Sequence, residues 1–160
     1  RALPERLRWT LWAAKESAFK AARKLDPGVP FHPRSFAARL AGDDRIEVVH
    51  RAAGRFRVWV EDARDWIHTV AAPVAEAATP PKWALELVEV GSARSGGPGE
   101  GARDLARRAV APLLSIDPAE LSVVLRDRIP HLSRAGSILP VDLSLSHHGR
   151  VVACAWAGKG

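Results

Sequence analysis

A long amphipathic helical pattern near the start of the chain limits most strongly the folds available to it. Apolar residues recur at helical spacing between residues 3 and 25, which predicts one helix with one buried stripe. The stripe consists of Leu7, Leu11, Trp12 and Phe19. Pro4 is tolerated in a first helical turn, and Asp26-Pro27-Gly28 is typical of a helix end. Such a helix must bury its apolar stripe against a neighbouring element.

Short strand patterns follow this helix and predict the sheet on which it packs. The third is the clearest, because three apolar side chains alternate with two arginines and a tryptophan between residues 55 and 60. The predicted strands cover residues 35–40, 46–50, 55–60 and 66–71. A turn is expected at Gly42-Asp43-Asp44, so the pattern predicts an antiparallel meander.

The second half of the chain repeats this order of helix and strands. A helix is predicted over residues 104–114 with Leu105, Ala109 and Leu113 on its buried side. Asp117-Pro118-Ala119-Glu120 is similar to a capping box, and a glycine- and serine-rich loop is predicted over residues 92–101. The predicted strands cover residues 82–90, 121–125, 141–146 and 151–156. The last two flank residues 147–150 and predict a hairpin.

The repeated order of elements predicts an α+β fold with two similar lobes, each a long helix packed on a small antiparallel sheet. The first lobe is expected over residues 1–76 and the second over residues 82–160. A stretch rich in proline and alanine joins them near Pro80-Pro81. The repeat is one of architecture and not of residues.

The charge of the chain indicates what kinds of partner to expect. Lysine and arginine number 24 against 18 aspartates and glutamates, for a formal net charge of +6. Arginine supplies 19 of these cations, and its planar guanidinium binds phosphates and carboxylates in a bidentate manner. Phosphorylated ligands, acidic proteins and nucleic acid are therefore the candidate partners. Because the basic residues are scattered and form no run, we expect no nucleic-acid binding.

Compartment and processing are constrained by what the sequence lacks. No stretch reaches the roughly 20 apolar residues of a membrane helix, and no signal-peptide pattern opens the chain, so no membrane association is expected. The only cysteine, Cys154, has no intrachain disulfide partner, which favours the reducing cytoplasm. No Cys/His spacing suits structural zinc. The chain begins at Arg1 and contains no methionine, so we expect a piece of a longer polypeptide.

Lys15, Glu16 and Lys20 form the first group of residues that could carry chemistry. Glu16 and Lys20 lie four residues apart on one helix face, and Lys15 is about 100° away round the helix. A carboxylate beside two ammonium groups suits a metal-bound phosphate, because Mg²⁺ prefers oxygen ligands and lysine neutralises phosphate charge. The alternative is a solvated helix surface with an ordinary Glu–Lys pair.

Ser144, Ser146 and His147 form the second group. Strand alternation places the two serines on one face, and His147 on the other with Leu143 and Leu145. A histidine at the expected end of this strand can hold a phosphate or transfer a proton. The alternative is a polar hairpin turn without a ligand.

Taken together, Trp-x-x-Lys-Glu-Ser-x-x-Lys at residues 12–20 and Ser-Leu-Ser-His at residues 144–147 resemble the 4′-phosphopantetheinyl transferase superfamily. Residues 12–72 resemble the C-terminal half of the larger class of that family, and residues 83–157 resemble its N-terminal half. The order of the halves is thus reversed relative to the larger class, whereas the smaller class does place the Lys-Glu helix first.

Two family motifs depart from the expected pattern. The Gly-x-Asp-x-Glu metal strand is missing, and residues 42–47 are a poor substitute for it. The family's Gly-Lys-Pro corresponds at best to Arg128-Ile129-Pro130. The resemblance therefore implies that the missing strand lies before Arg1, after Gly160 or in another polypeptide, or that the chain acts as a homo-oligomer.

The resemblance implies transfer of the phosphopantetheine arm of coenzyme A to a serine of an acyl or peptidyl carrier protein, as in polyketide or fatty-acid biosynthesis. Mg²⁺ would bridge the pyrophosphate. Glu16 would be the metal ligand and a base for the serine, while Lys20 would contact the pyrophosphate and Lys15 a nearby phosphate. In the second lobe Ser146 and the catalytic His147 would fix the phosphates of the nucleotide, with Arg128 as a further phosphate contact.

One other function remains open at this stage, a non-catalytic module that binds coenzyme A or a carrier protein. The remaining histidines are interpreted as structural or surface residues, and Cys154 as a small buried apolar residue. Those histidines are His32, His50, His68, His131 and His148.

Overall fold

The structure, a computed structural model, describes residues 4–42, 45–76, 79–87 and 97–158. Within these residues the protein is α+β, with two helices and two antiparallel sheets. The chain divides into two compact units, Arg1–Pro81 and Lys82–Gly160. Residues 43 and 44 of the predicted turn lie outside the described residues.

The first unit consists of one helix followed by four strands in a meander. Its elements are α1 Glu5–Leu25, β1 Phe36–Leu40, β2 Arg45–His50, β3 Gly54–Asp62 and β4 Ile67–Pro73. The strands pair in the order β1-β2-β3-β4 and all pairs are antiparallel. The helix ends where the carboxylate of Asp26 accepts a hydrogen bond of 2.8 Å from the N–H of Gly28. The predicted helix and strands are confirmed to within two residues at each described end.

The core of this unit forms where α1 packs on one face of the sheet. The helix contributes small residues, Ala14, Ala18, Ala21 and Ala22, and the sheet contributes larger ones, Phe36, Ile46, Val48, Phe56 and Val58. The predicted apolar stripe is therefore only partly right. Leu11 and Phe19 pack at the margin of the core, whereas Trp12 is 41% exposed. Alanine allows the helix backbone to approach the sheet closely, so the bulky residues are displaced to the flanks.

Two contacts fix the direction of α1 relative to β4. Arg6, in the first turn of the helix, binds Asp62 and the carbonyls of Ala63 and Arg64 just before β4. Further along, the hydroxyl of Thr69 donates a 2.9 Å hydrogen bond to the carbonyl of Ala13. The helix and this strand therefore run side by side in the same direction.

The second unit contains one helix and five strands. Its elements are β5 Lys82–Leu87, α2 Gly97–Leu114, β6 Leu121–Arg126, β7 Ile129–Arg134, β8 Ser137–His148 and β9 Val151–Gly158. The strands pair antiparallel in the order β5-β9-β8-β7-β6. The helix packs Leu105 and Ala106 on Leu143, Val152 and Cys154.

Four predictions in this unit are wrong in part, and one of them is the start of β8, which lies at Ser137 and not at residue 141. The helix begins at Gly97, so the predicted loop over 92–101 is helical from that point, because proline and glutamate are tolerated in a first turn. Leu113, which was predicted to be buried, is 52% exposed. Residues four apart on a helix differ by about 40° in direction, so the third residue of such a row points away from the buried side. Asp117 caps a single 3₁₀ turn by accepting from the N–H of Ala119, while Glu120 pairs with Arg134. Residues 88–96 lie outside the described residues.

Strand β7 was not predicted from the sequence, because Pro130 and three polar residues obscure its pattern. It nevertheless occupies an inner position, paired with β6 on one side and β8 on the other. The register between β7 and β8 shifts between His131 and Ser133, next to Pro140 of the opposing strand. A proline has no N–H to donate, so the irregularity accommodates it.

Candidate functional site

The first candidate group lies on the outer surface of α1. Glu16 is exposed, and Lys20 follows one turn later and is half-buried. Lys15, also half-buried, donates a 3.0 Å hydrogen bond from Nζ to the carbonyl of Pro33. That bond holds Lys15 against the loop before β1 and leaves the ammonium two further N–H groups.

The charge of Lys20 is destabilised by its surroundings. Burial lowers the pKa of its ammonium below the usual value, the carboxylate of Glu16 opposes this shift, and Lys24 adds to it. A lysine in such a position gains stabilisation of its charge when an anion approaches. The pair formed by Glu16 and Lys20 can therefore attract both a cation and an anion.

His68 belongs to the same neighbourhood, although no sequence pattern pointed to it as a site residue. It lies on β4 directly opposite Glu61 of β3 and is half-buried. Burial lowers the pKa of its imidazole, Glu61 opposes this shift, and the ammonium of Lys20 adds to it. Only the packing of α1 beside β4 brings the charges of His68 and Lys20 within range of each other, so no local sequence signal could have identified this histidine.

The second candidate group lies on β8. Ser144 and Ser146 are half-buried on one face, and the exposed His147 is on the other, as the alternation predicted. The strand continues through His148, so His147 pairs with Val152 inside the ladder and the turn is reduced to Gly149-Arg150. Adjacent residues on opposite faces can meet one ligand only at the end of the hairpin.

The serine face of β8 carries further polar residues. Asp142 lies on this face and is paired across the strands with His131 of β7. Both side chains are half-buried, and both take part in polar or electrostatic contacts. His131 is thus part of a polar strip with Asp142, Ser144 and Ser146, which was missed because β7 was not predicted.

Arg128 lies at the tip of the hairpin that joins β6 and β7. It is exposed and has a φ of 64°, next to Asp127 with a φ of 51°. Two consecutive residues with positive φ indicate a type I′ turn. The side chain of Arg128 is therefore presented to solvent from a short and rigid loop.

Glu16 is the one residue that the sequence assigned to Mg²⁺. In phosphate sites Mg²⁺ binds one or two carboxylates and completes its coordination shell with water and substrate oxygens. The single exposed carboxylate of Glu16 is therefore the smallest number of protein ligands that such a site uses. No group of three or more His, Cys, Asp or Glu side chains in the described part of the chain could hold a metal. Asp43 and Asp44 lie outside the described residues, and Glu47 is bound by Arg39 and Arg55.

The comparisons with known proteins give no relative for this chain. No family model, no curated protein and no solved structure matches it. Among the described residues, neither helix is long and apolar enough to cross a membrane.

Proposed function

We propose that the chain transfers the phosphopantetheine arm of coenzyme A to a serine of an acyl or peptidyl carrier protein. The observation that carries this proposal is the pairing of Glu16 and Lys20 on one surface of α1, in a motif similar to the lysine–glutamate helix of the transferases. A half-buried ammonium next to an exposed carboxylate is suited to a pyrophosphate that carries a divalent cation.

In the proposed reaction, the serine oxygen of the carrier forms a bond to the phosphorus attached to the pantetheine arm. The bond from that phosphorus to the oxygen of adenosine 3′,5′-bisphosphate breaks, and the serine proton passes to a base, for which Glu16 is the candidate. Lys20 neutralises charge on the pyrophosphate and on the leaving group. Mg²⁺, held by Glu16, would supply further neutralisation of the pyrophosphate.

The other proposed contacts bind phosphate, and the resemblance also implies a catalytic role for His147. Lys15 can direct its remaining N–H groups to a phosphate. In the second unit, Ser146 and His147 are the proposed phosphate contacts. Arg128 is the weakest of these candidates, because its place rests on a loose correspondence with the Gly-Lys-Pro motif of the family.

A thermal-shift experiment tests the ligand. Coenzyme A should raise the melting temperature of the chain, and Mg²⁺ should increase the shift, because a ligand that binds only the folded state stabilises it. Lys20→Ala should reduce the shift by removing a charge from the pyrophosphate. Lys82→Ala, on the exposed side of β5, is the matched control and should retain it. Equal shifts for Lys20→Ala and wild type would contradict the role of Lys20.

A transfer assay tests the reaction. Intact mass spectrometry of an apo carrier protein would report the added arm directly. Glu16→Gln keeps the shape of the side chain and removes its charge, so it should abolish transfer, whereas Glu5→Gln on the same helix should not. Coenzyme A binding without transfer to any carrier would instead support the non-catalytic binding module.

A further inference from the structure

The outer surface of α1 carries two exposed tryptophans close to Glu16 and Lys20. Trp9 is 59% exposed and Trp12 is 41% exposed, although tryptophan is highly buried on average in folded proteins. Successive residues of an α-helix differ by about 100° in direction, so positions 9, 12, 16 and 20 point within about 40° of one common direction. The alanines that pack on the sheet, such as Ala14, lie on the opposite side of the helix. The two tryptophans therefore share a face with the proposed phosphate site.

Trp12 is held in place by an aromatic contact and is otherwise open to solvent. Its ring meets that of Phe31 at an angle of 78°, with the ring centroids 5.9 Å apart. Phe31 in turn packs against Phe19 and the fully buried Phe36, with centroid separations of 4.8 and 6.2 Å. These rings connect an exposed indole to the core of the first unit. A group that is already ordered loses less conformational entropy when a ligand binds.

The size of the exposed aromatic surface suits a single flat ring better than a protein. The exposed parts of the two tryptophans together equal about one whole side chain, or roughly 150–250 Å². A stable protein interface uses about 800 Å² on each partner, and its centre is poor in charged residues. Here exposed charged side chains three or four positions away border the indoles on the helix, namely Glu5, Arg8 and Glu16. A purine base, in contrast, stacks on one or two aromatic side chains.

The position of Trp12 relative to Lys20 matches the layout of a nucleotide. Trp12 precedes Glu16 by about 6 Å along the helix axis and Lys20 by about 12 Å. In coenzyme A a ribose separates the adenine ring from the pyrophosphate. A pyrophosphate bound at Glu16 and Lys20 therefore leaves the base within reach of Trp12. Trp9 lies about one turn further along and extends the aromatic surface in the same direction.

We propose that Trp9 and Trp12 form a stacking surface for the adenine ring of coenzyme A. The proposal rests on the proposed function, which assigns the pyrophosphate of the same molecule to Glu16 and Lys20. Stacking requires only the flat face of each ring, and tryptophan has the largest aromatic face among the side chains. The surface holds the nucleotide end of coenzyme A and distinguishes the whole molecule from its phosphopantetheine fragment.

Three ligands that differ in the adenine ring test the surface, by isothermal titration calorimetry of the full chain with Mg²⁺. Coenzyme A contains the ring, whereas 4′-phosphopantetheine and inorganic pyrophosphate lack it. Trp9→Leu combined with Trp12→Leu removes both indoles and keeps apolar residues of high helix propensity. Leu25→Ala is the matched control, because it removes another exposed apolar side chain from the same helix. Melting temperatures establish that the variants fold.

The leucine double variant should bind coenzyme A about fivefold or more weakly, and should bind the two ligands without adenine within about twofold of wild type. Leu25→Ala should retain the wild-type Kd for all three ligands. Trp9→Phe combined with Trp12→Phe should restore part of the affinity for coenzyme A, because phenylalanine still offers an aromatic face. Coenzyme A should also quench the tryptophan fluorescence of wild type more than pyrophosphate does, and the leucine variant should lose this difference.

The possible failures of the two proposals differ. An unchanged Kd for coenzyme A in the leucine variant, with transfer intact, would overturn the stacking surface and leave the transferase proposal standing. Equal losses of affinity for coenzyme A and 4′-phosphopantetheine would overturn the surface by assigning the tryptophans to the arm. A raised KM for the carrier, with the Kd for coenzyme A unchanged, would overturn it by assigning them to the carrier. Adenine-dependent binding that the leucine variant loses, without transfer by wild type to any carrier, would support the surface and overturn the transferase.

Discussion

At the scale of single residues, Lys20 shows a conflict between stability and proposed function. Burial lowers the pKa of its ammonium, so the folded chain carries this charge at a cost at neutral pH. The carboxylate of Glu16, which is exposed, opposes this shift only in part. An anionic ligand beside Lys20 would offset this cost, because it would stabilise the charged form.

Replacing Lys20 should therefore stabilise the protein. We expect Lys20→Met to raise the free energy of unfolding by about 1 kcal/mol, because an apolar side chain of similar length replaces a half-buried charge. Urea denaturation measures the change. Lys15→Met is the control and should lower stability, since it removes the hydrogen bond to the carbonyl of Pro33. A loss of stability in Lys20→Met as large as that in Lys15→Met would show that Lys20 is structural.

His68 should make the stability of the chain depend on pH. Its folded pKa lies below the ordinary value of 6.5, so as pH falls through that range the unfolded chain binds the proton first. Stability is therefore full above about pH 7.5 and declines as the pH falls towards the lowered pKa of the folded state. His68→Gln should decline less than wild type between pH 8 and 5.5 in urea denaturation. The exposed His32→Gln is the control, and an identical pH profile for wild type and His68→Gln would contradict the shift.

At the scale of elements, sequence patterns correctly predicted the helices and strands whose positions depend on neighbouring residues. The helix α1 and its four strands follow from spacing, helix-end residues and alternation, and they were predicted to within two residues. Strand β7 was missed because Pro130 argues locally against a strand, while its place between β6 and β8 is determined by long-range pairing. The proximity of His68 to Lys20 was missed for the same reason, since packing brings distant residues together.

The turn between β7 and β8 carries removable strain. Ala135 has a φ of 47° and precedes Gly136 at 81°, a pair that type I′ turns usually fill with asparagine and glycine. Ala135→Gly should raise the free energy of unfolding by about 0.5–1 kcal/mol, because glycine adopts this conformation without the clash of a Cβ. Ala157→Gly within β9 is the control and should lower stability by a similar amount. A destabilised Ala135→Gly protein would show that the turn is not strained.

At the scale of the whole molecule, each unit has the parts of an independent domain. The first buries Phe36, Phe56 and Val58 under α1, and the second buries Leu132, Leu143 and Val152 under α2. Both contain a helix followed by a four-stranded meander, although only three strands were predicted after the second helix, and the second unit adds β5 at the edge beside β9. The candidate residues of each unit are therefore positioned by that unit's own helix and sheet. The folding of each unit can be measured separately.

Separation of the chain at the Pro80-Pro81 junction should yield two polypeptides that fold alone. Residues 1–81 and 82–160 each close their own sheet and core, and a single core of this size supplies about 3–5 kcal/mol. Each piece should show a cooperative urea transition by tryptophan fluorescence, since the first contains four tryptophans and the second contains two. Phe36→Ala in the first piece and Leu143→Ala in the second should abolish their transitions, because the loss of either buried side chain costs about as much as the whole stability. A piece that stays unfolded in buffer would show that its unit depends on the remainder of the chain.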